Sequence, residues 1–356
     1  MNEFFEKIAW RIERAMRTIQ HVCRVKEATW FEFFQRLSDA ETRAHQALIE
    51  SGKLSQSDFN FAQFIPEDRI PFTLDATKLA TVYWEAGQQL RETISDVREL
   101  ILKAKDEGKF VIGEFGQAYW LDKRHGFTPN VTASHTCSAE LFHSGGIPIQ
   151  PVTEVGCCKA YDTKVGTHHF LTQINHQVDP WGKKLAKLEF GTSTGRQRMV
   201  GWFDAVEKGN ALRYGGFNQL VINKLDALTL DSTVPPELKI CTAYEAEDGK
   251  LIYKVPRKEK VRKKLTPVYK ILPGWSEDIQ KIKSFVNLPQ EAKIYIAEML
   301  GSLLDVAHPN GLTDLTKVPE IRFIGVGPDP GEIIADIPNT RQLLELRKPL
   351  ELSAVS

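Results

Sequence analysis

Two short segments carry residue types that could recognise a nucleotide base and a small anion. The first, Asn223-Lys224-Leu225-Asp226, directly follows an apolar run that is typical of a buried strand. A carboxylate can accept the two adjacent N–H donors of guanine, which adenine lacks, and a lysine side chain can lie along the base. The segment therefore predicts a guanine-binding loop. The alternative is an ordinary turn in which Asp226 caps a helix.

The second segment is residues 191–198, GTSTGRQR. Its two glycines would let backbone amides approach an anion, and its three hydroxyl groups add further hydrogen-bond partners. The guanidinium groups of Arg196 and Arg198 could clamp carboxylate or phosphate oxygens. An anion-binding loop and a polar surface loop are both compatible with this pattern.

A third segment places Gln117 after the apolar run at residues 109–116 and Thr132 fifteen residues later. The amide of Gln117 could contact a base edge, and the hydroxyl of Thr132 could contact a phosphate. No G-x-x-x-x-G-K-[ST] motif occurs, so the phosphate-binding half of a nucleotide site is not visible. His168 and His169 have no third ligand at a useful spacing, so no metal site is predicted.

Apolar spacing predicts the elements that must position these residues. The first hundred residues predict helices: one from Phe4, one over 29–50 and a long one over 75–106. Beyond Gly108 the pattern predicts buried strands at 109–116, 219–226, 237–244 and 320–327, and a helix over 290–306. We therefore expect a mainly helical region over 1–108 and an α/β body over 109–356, forming one continuous domain.

Composition excludes several classes of protein. The chain has 356 residues, with 46 basic and 46 acidic side chains and 42% apolar residues, which suits a globular protein with a sizeable core. The neutral balance argues against a nucleic-acid binder, and the basic run at 254–264 is interpreted as a solvated loop. No apolar run is long enough for a membrane span. The start lacks the pattern of a secretory signal, and the five scattered cysteines indicate reduced thiols, so a cytoplasmic location is expected.

Eight sequence blocks, taken in order, resemble the adenylosuccinate synthetase family. They cover roughly residues 108–329 and include GEFGQ, KAYDTKVG, EFGTSTGRQRMVGW, NKLD, KICTAY, ILPGWSED, LPQEA and GVGPD. The resemblance implies a mixed β-sheet with flanking helices. It also implies a GTP-dependent ligase of purine biosynthesis that joins aspartate to C6 of IMP, with Mg²⁺ as the cofactor bound with GTP.

The resemblance also implies roles for individual residues. Gln117, Thr132 and Arg196 would contact IMP. The guanine nucleotide would be bound by Arg198, Lys224, Leu225, Asp226, Gly325, Val326 and Gly327. Aspartate would be bound by Thr192, Ser193, Thr194, Gly195, Arg196 and Arg198.

One departure from the family bears on activity. Family members begin with a strand and a glycine-rich phosphate loop that carry the catalytic base and a Mg²⁺ ligand, and no such segment is found in this sequence, so no catalytic residue is assigned. Removing even one preorganised donor typically lowers the rate 10²–10³-fold.

Three hypotheses follow: the C-terminal part of a split ligase, a non-catalytic purine-nucleotide-binding or regulatory relative, or a ligase for a different purine (deoxy)nucleotide. An unfilled strand position would favour a companion chain, a homodimer or a rearranged sheet.

Overall fold

The computed structural model describes residues 1–53, 61–166, 168–191, 195–312, 314 and 317–347. The chain divides into two compact units, Met1–Leu100 and Ile101–Ser356. The first is helical and the second is α/β. Along the described part of the chain, no helix combines the length and the apolar character that a membrane crossing needs.

The first unit is built on amphipathic helices. The predicted helix from Phe4 is confirmed as α1 (Asn2–Arg17), and the second predicted helix is confirmed as α2 (Glu27–Glu50). Phe4 of α1 packs against Trp84 of α3 (Ala76–Gln89), with ring centroids 5.5 Å apart. A small core forms where Trp30 and Phe34 of α2 meet Phe72.

The prediction of one long helix over 75–106 is wrong. The helix α3 ends at Gln89, a 3₁₀ turn follows at Arg91–Thr93, and α4 spans Val97–Asp106. The break has a local cause, because the Asp96 carboxylate accepts a hydrogen bond from the backbone N–H of Arg98 at 3.0 Å. A side chain that satisfies a free N–H in this way begins a new helix.

The second unit contains a four-stranded sheet, whose strands follow in their order across the sheet. The strands β1 (Val155–Lys159), β5 (Gln219–Asn223) and β9 (Glu320–Gly325) are parallel, and β10 (Ile333–Ile334) is antiparallel to β9. The strands predicted at 219–226 and 320–327 are thus confirmed, although each ends two or three residues early.

A second sheet is centred on β6 (Glu237–Glu245), which confirms the strand predicted at 237–244. It pairs in parallel with β4 (Phe203–Asp204) and antiparallel with β7 (Leu251–Ile252) and β8 (Thr266–Pro273). The predicted helix α9 (Gln290–Ala307) is buried on nearly every side, which its all-round apolar composition explains. The remaining elements are α5 (Ala139–Gly145), β2 (Asp162–Lys164), α6 (Pro180–Ala186), β3 (Met199–Gly201), α7 (Ala205–Gly215), α8 (Glu259–Arg262) and α10 (Thr340–Glu345), with β2 and β3 paired antiparallel.

The prediction of a buried strand at 109–116 is also wrong. The segment is extended but belongs to no sheet, and residues 110–116 form no backbone hydrogen bond within the described structure. The apolar side chains at 110–112 face solvent, with Phe110 100% and Ile112 91% exposed. The sequence here has the character of a strand, but no neighbouring strand in the described chain pairs with it.

The basic run at 254–264 is not simply a solvated loop. Arg262, at the end of α8, is only 2% exposed, and its guanidinium group lies 4.3 Å from the centre of the Phe127 ring. Its Nη1 atom donates to the carbonyl oxygens of Pro256 and Arg257 at 2.9 and 2.7 Å. One residue of the run therefore fixes the fold, and the solvated interpretation is wrong for it.

Candidate functional site at the carboxyl edge of the parallel sheet

The carboxyl ends of three parallel strands lie side by side. Lys159 at the end of β1 pairs in register with Asn223 at the end of β5, and Ile222 pairs with Ile324 of β9. Loops that leave this edge are therefore brought together although they are far apart in sequence. Ligands of open α/β sheets commonly bind at this edge.

The predicted guanine loop leaves β5 in a constrained conformation. Lys224 has a φ of +59°, a left-handed backbone that is uncommon for a residue other than glycine. The backbone N–H of Leu225 donates to the carbonyl oxygen of Gly325 at 3.1 Å, which joins the loop to the end of β9. Asp226 begins a 3₁₀ turn (Asp226–Leu228) in which no side chain caps the helix, so the capping alternative is not what the structure shows.

The carboxylate of Asp226 has an unusual environment. Its Oδ1 atom is buried and forms no hydrogen bond within the described structure. Burial raises the pKa of this carboxyl, and Glu332 acts in the same direction, while the backbone N–H groups of Asp226 and Ala227 and the charge of Lys224 act against the rise. A buried carboxylate oxygen without a donor is costly, and the cost is removed when a ligand supplies an N–H group.

The segment Gly325, Val326 and Gly327 lies directly beside this loop. A Cβ atom on Gly325 would lie 2.9 Å from Oδ1 of Asn223, and one on Gly327 would lie 2.2 Å from Oε2 of Glu332. A larger residue at either position would displace one of these two side chains. The structure thus brings Lys224, Leu225 and Asp226 together with the three residues at the end of β9.

The predicted anion loop closes on itself between residues 191 and 196. The N–H of Gly191 donates to the carbonyl oxygen of Arg196 at 2.8 Å, and Gly195 has a φ of +62°. The side chain of Gln197 helps to fix the loop, because its amide nitrogen donates to the carbonyl oxygens of Ala186 and Glu189 at 2.9 and 2.8 Å. The predicted contacts Thr192, Ser193 and Thr194 lie outside the described residues.

A buried carboxylate, Glu189, contacts a residue of each loop. It is 1% exposed, and its Oε2 atom accepts from Nη1 of Arg198 at 3.1 Å. Its Oε1 atom lies 3.2 Å from Nζ of Lys224 and also accepts from Lys159 and Tyr161, at 2.7 and 2.6 Å. Arg198 and Lys224 are therefore brought to one point of the structure.

Sequence reasoning assigned no role to Glu189, Lys159 or Tyr161, although all three lie in blocks that resemble the family. The available signal was a lysine at the end of a strand followed by a tyrosine, and a glutamate just before the glycine-rich loop. Their convergence depends on strand order, which residue spacing does not reveal.

Gln117 and Thr132 belong to a second cluster. The hydroxyl of Ser134 donates to Oε1 of Gln117 at 2.7 Å and lies 3.2 Å from the hydroxyl of Thr132. Thr132 also donates to the carbonyl oxygen of Leu121 at 2.9 Å. Two predicted IMP contacts are thus brought together by a third residue, Ser134. Arg196, the third predicted IMP contact, lies exposed on the anion loop.

Asp122 organises the loop between these two residues. Burial alone would raise the pKa of its carboxyl, but N–H donors from Thr136, His125 and Arg124 lower it to about 2. The bonds to Thr136, His125 and Arg124 are each 2.8 Å long. A carboxylate whose oxygens are occupied in this way is a poor proton acceptor, so Asp122 is a loop-organising residue rather than a free base.

The Mg²⁺ that the family resemblance implies would be bound together with GTP, chiefly through phosphate oxygens. The described residues contain no group of three or more His, Cys, Asp or Glu placed to hold a metal ion without a nucleotide. Glu189, the carboxylate at the centre of the site, is already bound by cationic side chains. No chemical step can be derived through magnesium from these residues.

Comparison with known proteins gives a consistent result. The family model described as adenylosuccinate synthetase matches residues 34–331. The adenylosuccinate synthetase of Enterococcus faecalis is 39% identical over 223 residues, which cover 62% of this chain and 50% of that protein. The enzyme of Bacillus anthracis is 36% identical over 248 residues, covering 69% of this chain and 53% of that protein.

A solved structure agrees with the sequence comparison. Fully ligated adenylosuccinate synthetase from Plasmodium falciparum matches with a TM-score of 0.64 and 26% identity, covering 86% of this chain and 65% of that one. The chain spans about half the length of the curated relatives it matches. The predicted fold class, an adenylosuccinate-synthetase-like mixed sheet with flanking helices, is confirmed, and the chain belongs to the adenylosuccinate synthetase family.

Proposed function

We propose that this chain binds a guanine nucleotide, aspartate and a purine nucleotide such as IMP, as the substrate-binding part of a GTP-dependent ligase. The observation that carries the proposal is the buried Oδ1 of Asp226, which has no hydrogen-bond donor in the described structure. Guanine presents two adjacent N–H donors in the geometry that one carboxylate accepts. Lys224 and the Gly325–Gly327 backbone would then line the base.

The charges beside the loop support a phosphorylated ligand. Lys159, Arg198 and Lys224 meet around the single carboxylate of Glu189. Glu189 balances only one of these three positive charges, so positive charge remains around this carboxylate. Such an excess favours phosphate or carboxylate groups.

Equilibrium binding of GDP, followed by calorimetry, tests the nucleotide part of the proposal. Loss of a hydrogen bond to a charged group is worth about 1.5–3 kcal/mol, so Asp226→Ala should weaken binding by roughly 10–100-fold. Asp248→Ala is the matched control, because Asp248 lies in the turn between β6 and β7 and caps only the N–H of Lys250. Equal affinity in the two variants would refute the assignment.

Ligase activity, in this proposal, also requires a phosphate-binding segment that this sequence does not contain. Two observations support this part of the proposal. Within the described structure β1 has a strand partner on only one of its edges, and the extended segment at 110–112 exposes its apolar side chains. An additional strand that paired with a free strand edge would form hydrogen bonds with its unpaired backbone groups. It would also cover apolar side chains that are now exposed.

The corresponding experiment is an assay of GDP release with IMP, aspartate, GTP and Mg²⁺, omitting each substrate in turn. We expect no substrate-dependent turnover from this chain alone, and turnover when a polypeptide carrying the family's phosphate loop is added. Turnover by the chain alone would refute the requirement for completion. Nucleotide binding without turnover in either case would instead favour the non-catalytic, regulatory alternative.

A further inference from the structure

The side chain of Glu189 is the one described group that contacts both proposed ligand loops. Its Oε2 atom accepts from Arg198, on the anion loop, at 3.1 Å. Its Oε1 atom lies 3.2 Å from Nζ of Lys224, on the guanine loop. The residues Arg198 and Lys224 are 26 positions apart in sequence, so this carboxylate joins two distant segments of the chain.

Two further contacts fix this carboxylate from the sheet side. Lys159, at the end of β1, donates to Oε1 at 2.7 Å, and the buried Tyr161 hydroxyl donates to the same oxygen at 2.6 Å. Burial alone would raise the pKa of Glu189, but these donors, together with Lys224, lower it. The carboxylate therefore stays ionised at neutral pH and keeps a fixed place.

The two cations that it holds differ from it in exposure. The side chains of Arg198 and Lys224 are 32% and 39% exposed, whereas that of Glu189 is 1% exposed. An anionic ligand can therefore reach the two cations from solvent, but it cannot displace the carboxylate. When Arg198 turns towards such a ligand, Lys224 is no longer repelled by a cation on the same carboxylate, so its ion pair with Glu189 becomes more favourable.

We infer that Glu189 is a positioning residue that couples the anion loop to the guanine loop, an inference that rests on the proposed function of both. A carboxylate ligand that engages Arg198 strengthens the hold of Glu189 on Lys224. Lys224 then lines the base site with less freedom, so guanine nucleotide binds more tightly. Coupling between sites is reciprocal, so the nucleotide tightens binding of the carboxylate ligand by the same factor.

The test compares wild type with Glu189→Gln, which keeps the size of the side chain and removes its charge. In the absence of any ligand, hydrogen exchange is measured at the backbone amides of Arg198 and Leu225, which donate to the backbone carbonyl oxygens of Glu189 and Gly325. We expect both amides to exchange at least fivefold faster in Glu189→Gln, while amides in α9 keep their protection. Faster exchange at one loop only, at neither, or throughout the unit would overturn the inference.

A ligand-bound measurement separates the inference from the proposed function. GDP affinity is measured with and without aspartate as the carboxylate probe. For wild type we expect aspartate to tighten GDP binding at least fivefold, and for Glu189→Gln we expect a ratio near one. An undiminished ratio in Glu189→Gln would overturn the coupling. If wild type binds no GDP, the proposed function fails, and the ligand-free exchange measurement still decides whether Glu189 joins the two loops.

Matched variants distinguish charge from packing. Tyr161→Phe removes a neutral donor to the same carboxylate but belongs to neither loop, so it should leave both loop amides within about twofold of wild type. Glu189→Asp retains the charge on a shorter side chain, which cannot reach both cations at once. If Glu189→Asp restores slow hydrogen exchange at one of the two loop amides, the positioning role is supported. If Tyr161→Phe accelerates hydrogen exchange at both loop amides as much as Glu189→Gln does, the positioning role is contradicted.

Discussion

Gly209 lies where α7 packs against α9, and it allows the two helices to approach closely. A Cβ atom at this position would lie 2.6 Å from Cβ of Val306 and 2.8 Å from the carbonyl oxygen of Leu303. The carbonyl belongs to the helix backbone and cannot rotate away as a flexible side chain could. The variant Gly209→Ala must therefore move one helix against the other.

The size of the effect follows from two opposing contributions. Overpacking of a well-filled core costs typically 1–3 kcal/mol, and contact with backbone places this site near the upper end. Alanine in a helix interior regains about 1 kcal/mol relative to glycine. We therefore expect the free energy of unfolding to fall by about 2 kcal/mol. For a unit of this size that lowers the melting temperature by roughly 4–8 °C.

The assay is thermal and urea unfolding followed by circular dichroism and tryptophan fluorescence. Gly87→Ala is the matched control, because Gly87 lies in α3 and a Cβ atom there would meet nothing within 4 Å. The same chemical change should leave stability unchanged or raise it by up to about 1 kcal/mol. If Gly209→Ala is as stable as wild type, the close helix contact on which the reasoning depends is incorrect.

Three further predictions concern buried carboxylates. Burial raises the pKa of Asp204 to about 7, above the 3.8 of an unperturbed carboxyl, so its contribution to stability is lost as pH rises from about 4 to about 7. In Asp204→Asn, the free energy of unfolding in urea should depend less on pH between pH 5 and 7.5 than in wild type. An unchanged pH dependence would contradict this. The pKa of Asp122 is lowered to about 2, so its contribution is present above pH 4 and lost on acidification. Asp122→Asn should cost about 2 kcal/mol at pH 7 and little at pH 2. Glu298 is fully buried between Lys270 and Arg347, so Glu298→Ala should cost about 3 kcal/mol in urea unfolding, and a cost below 1 kcal/mol would argue against the ion pairs.

Much of the fold could be predicted from apolar patterning. The strands β5, β6 and β9 are short apolar runs bounded by polar residues, and α9 is a long apolar helix, so local sequence and tertiary burial agree at these elements. The break at Asp96 is not apparent in the sequence, because apolar residues keep a helical spacing across it and only one capping residue marks it. The unpaired segment at 109–116 was missed because strand-like composition does not show whether a neighbouring strand is present.

The candidate site was predicted in part. The guanine loop was identifiable because Lys224 and Asp226 are close together in sequence and their chemistry is specific. The carboxylate that joins this loop to Arg198 was not identifiable, since its partners come from three separate segments. Their meeting depends on the parallel order of β1 and β5, which spacing along the chain does not encode.

The central claim is that Asp226 recognises guanine through two N–H donors. The most direct measurement compares the affinities of GDP, IDP and ADP for the wild-type chain by calorimetry. IDP retains the ring N–H of guanine and lacks only the exocyclic amine, so it isolates one of the two hydrogen bonds. We predict that GDP binds roughly 10–100-fold more tightly than IDP, with ADP weaker than both. Equal affinities for GDP and IDP, or for GDP and ADP, would contradict the assignment of Asp226 as the guanine-binding carboxylate.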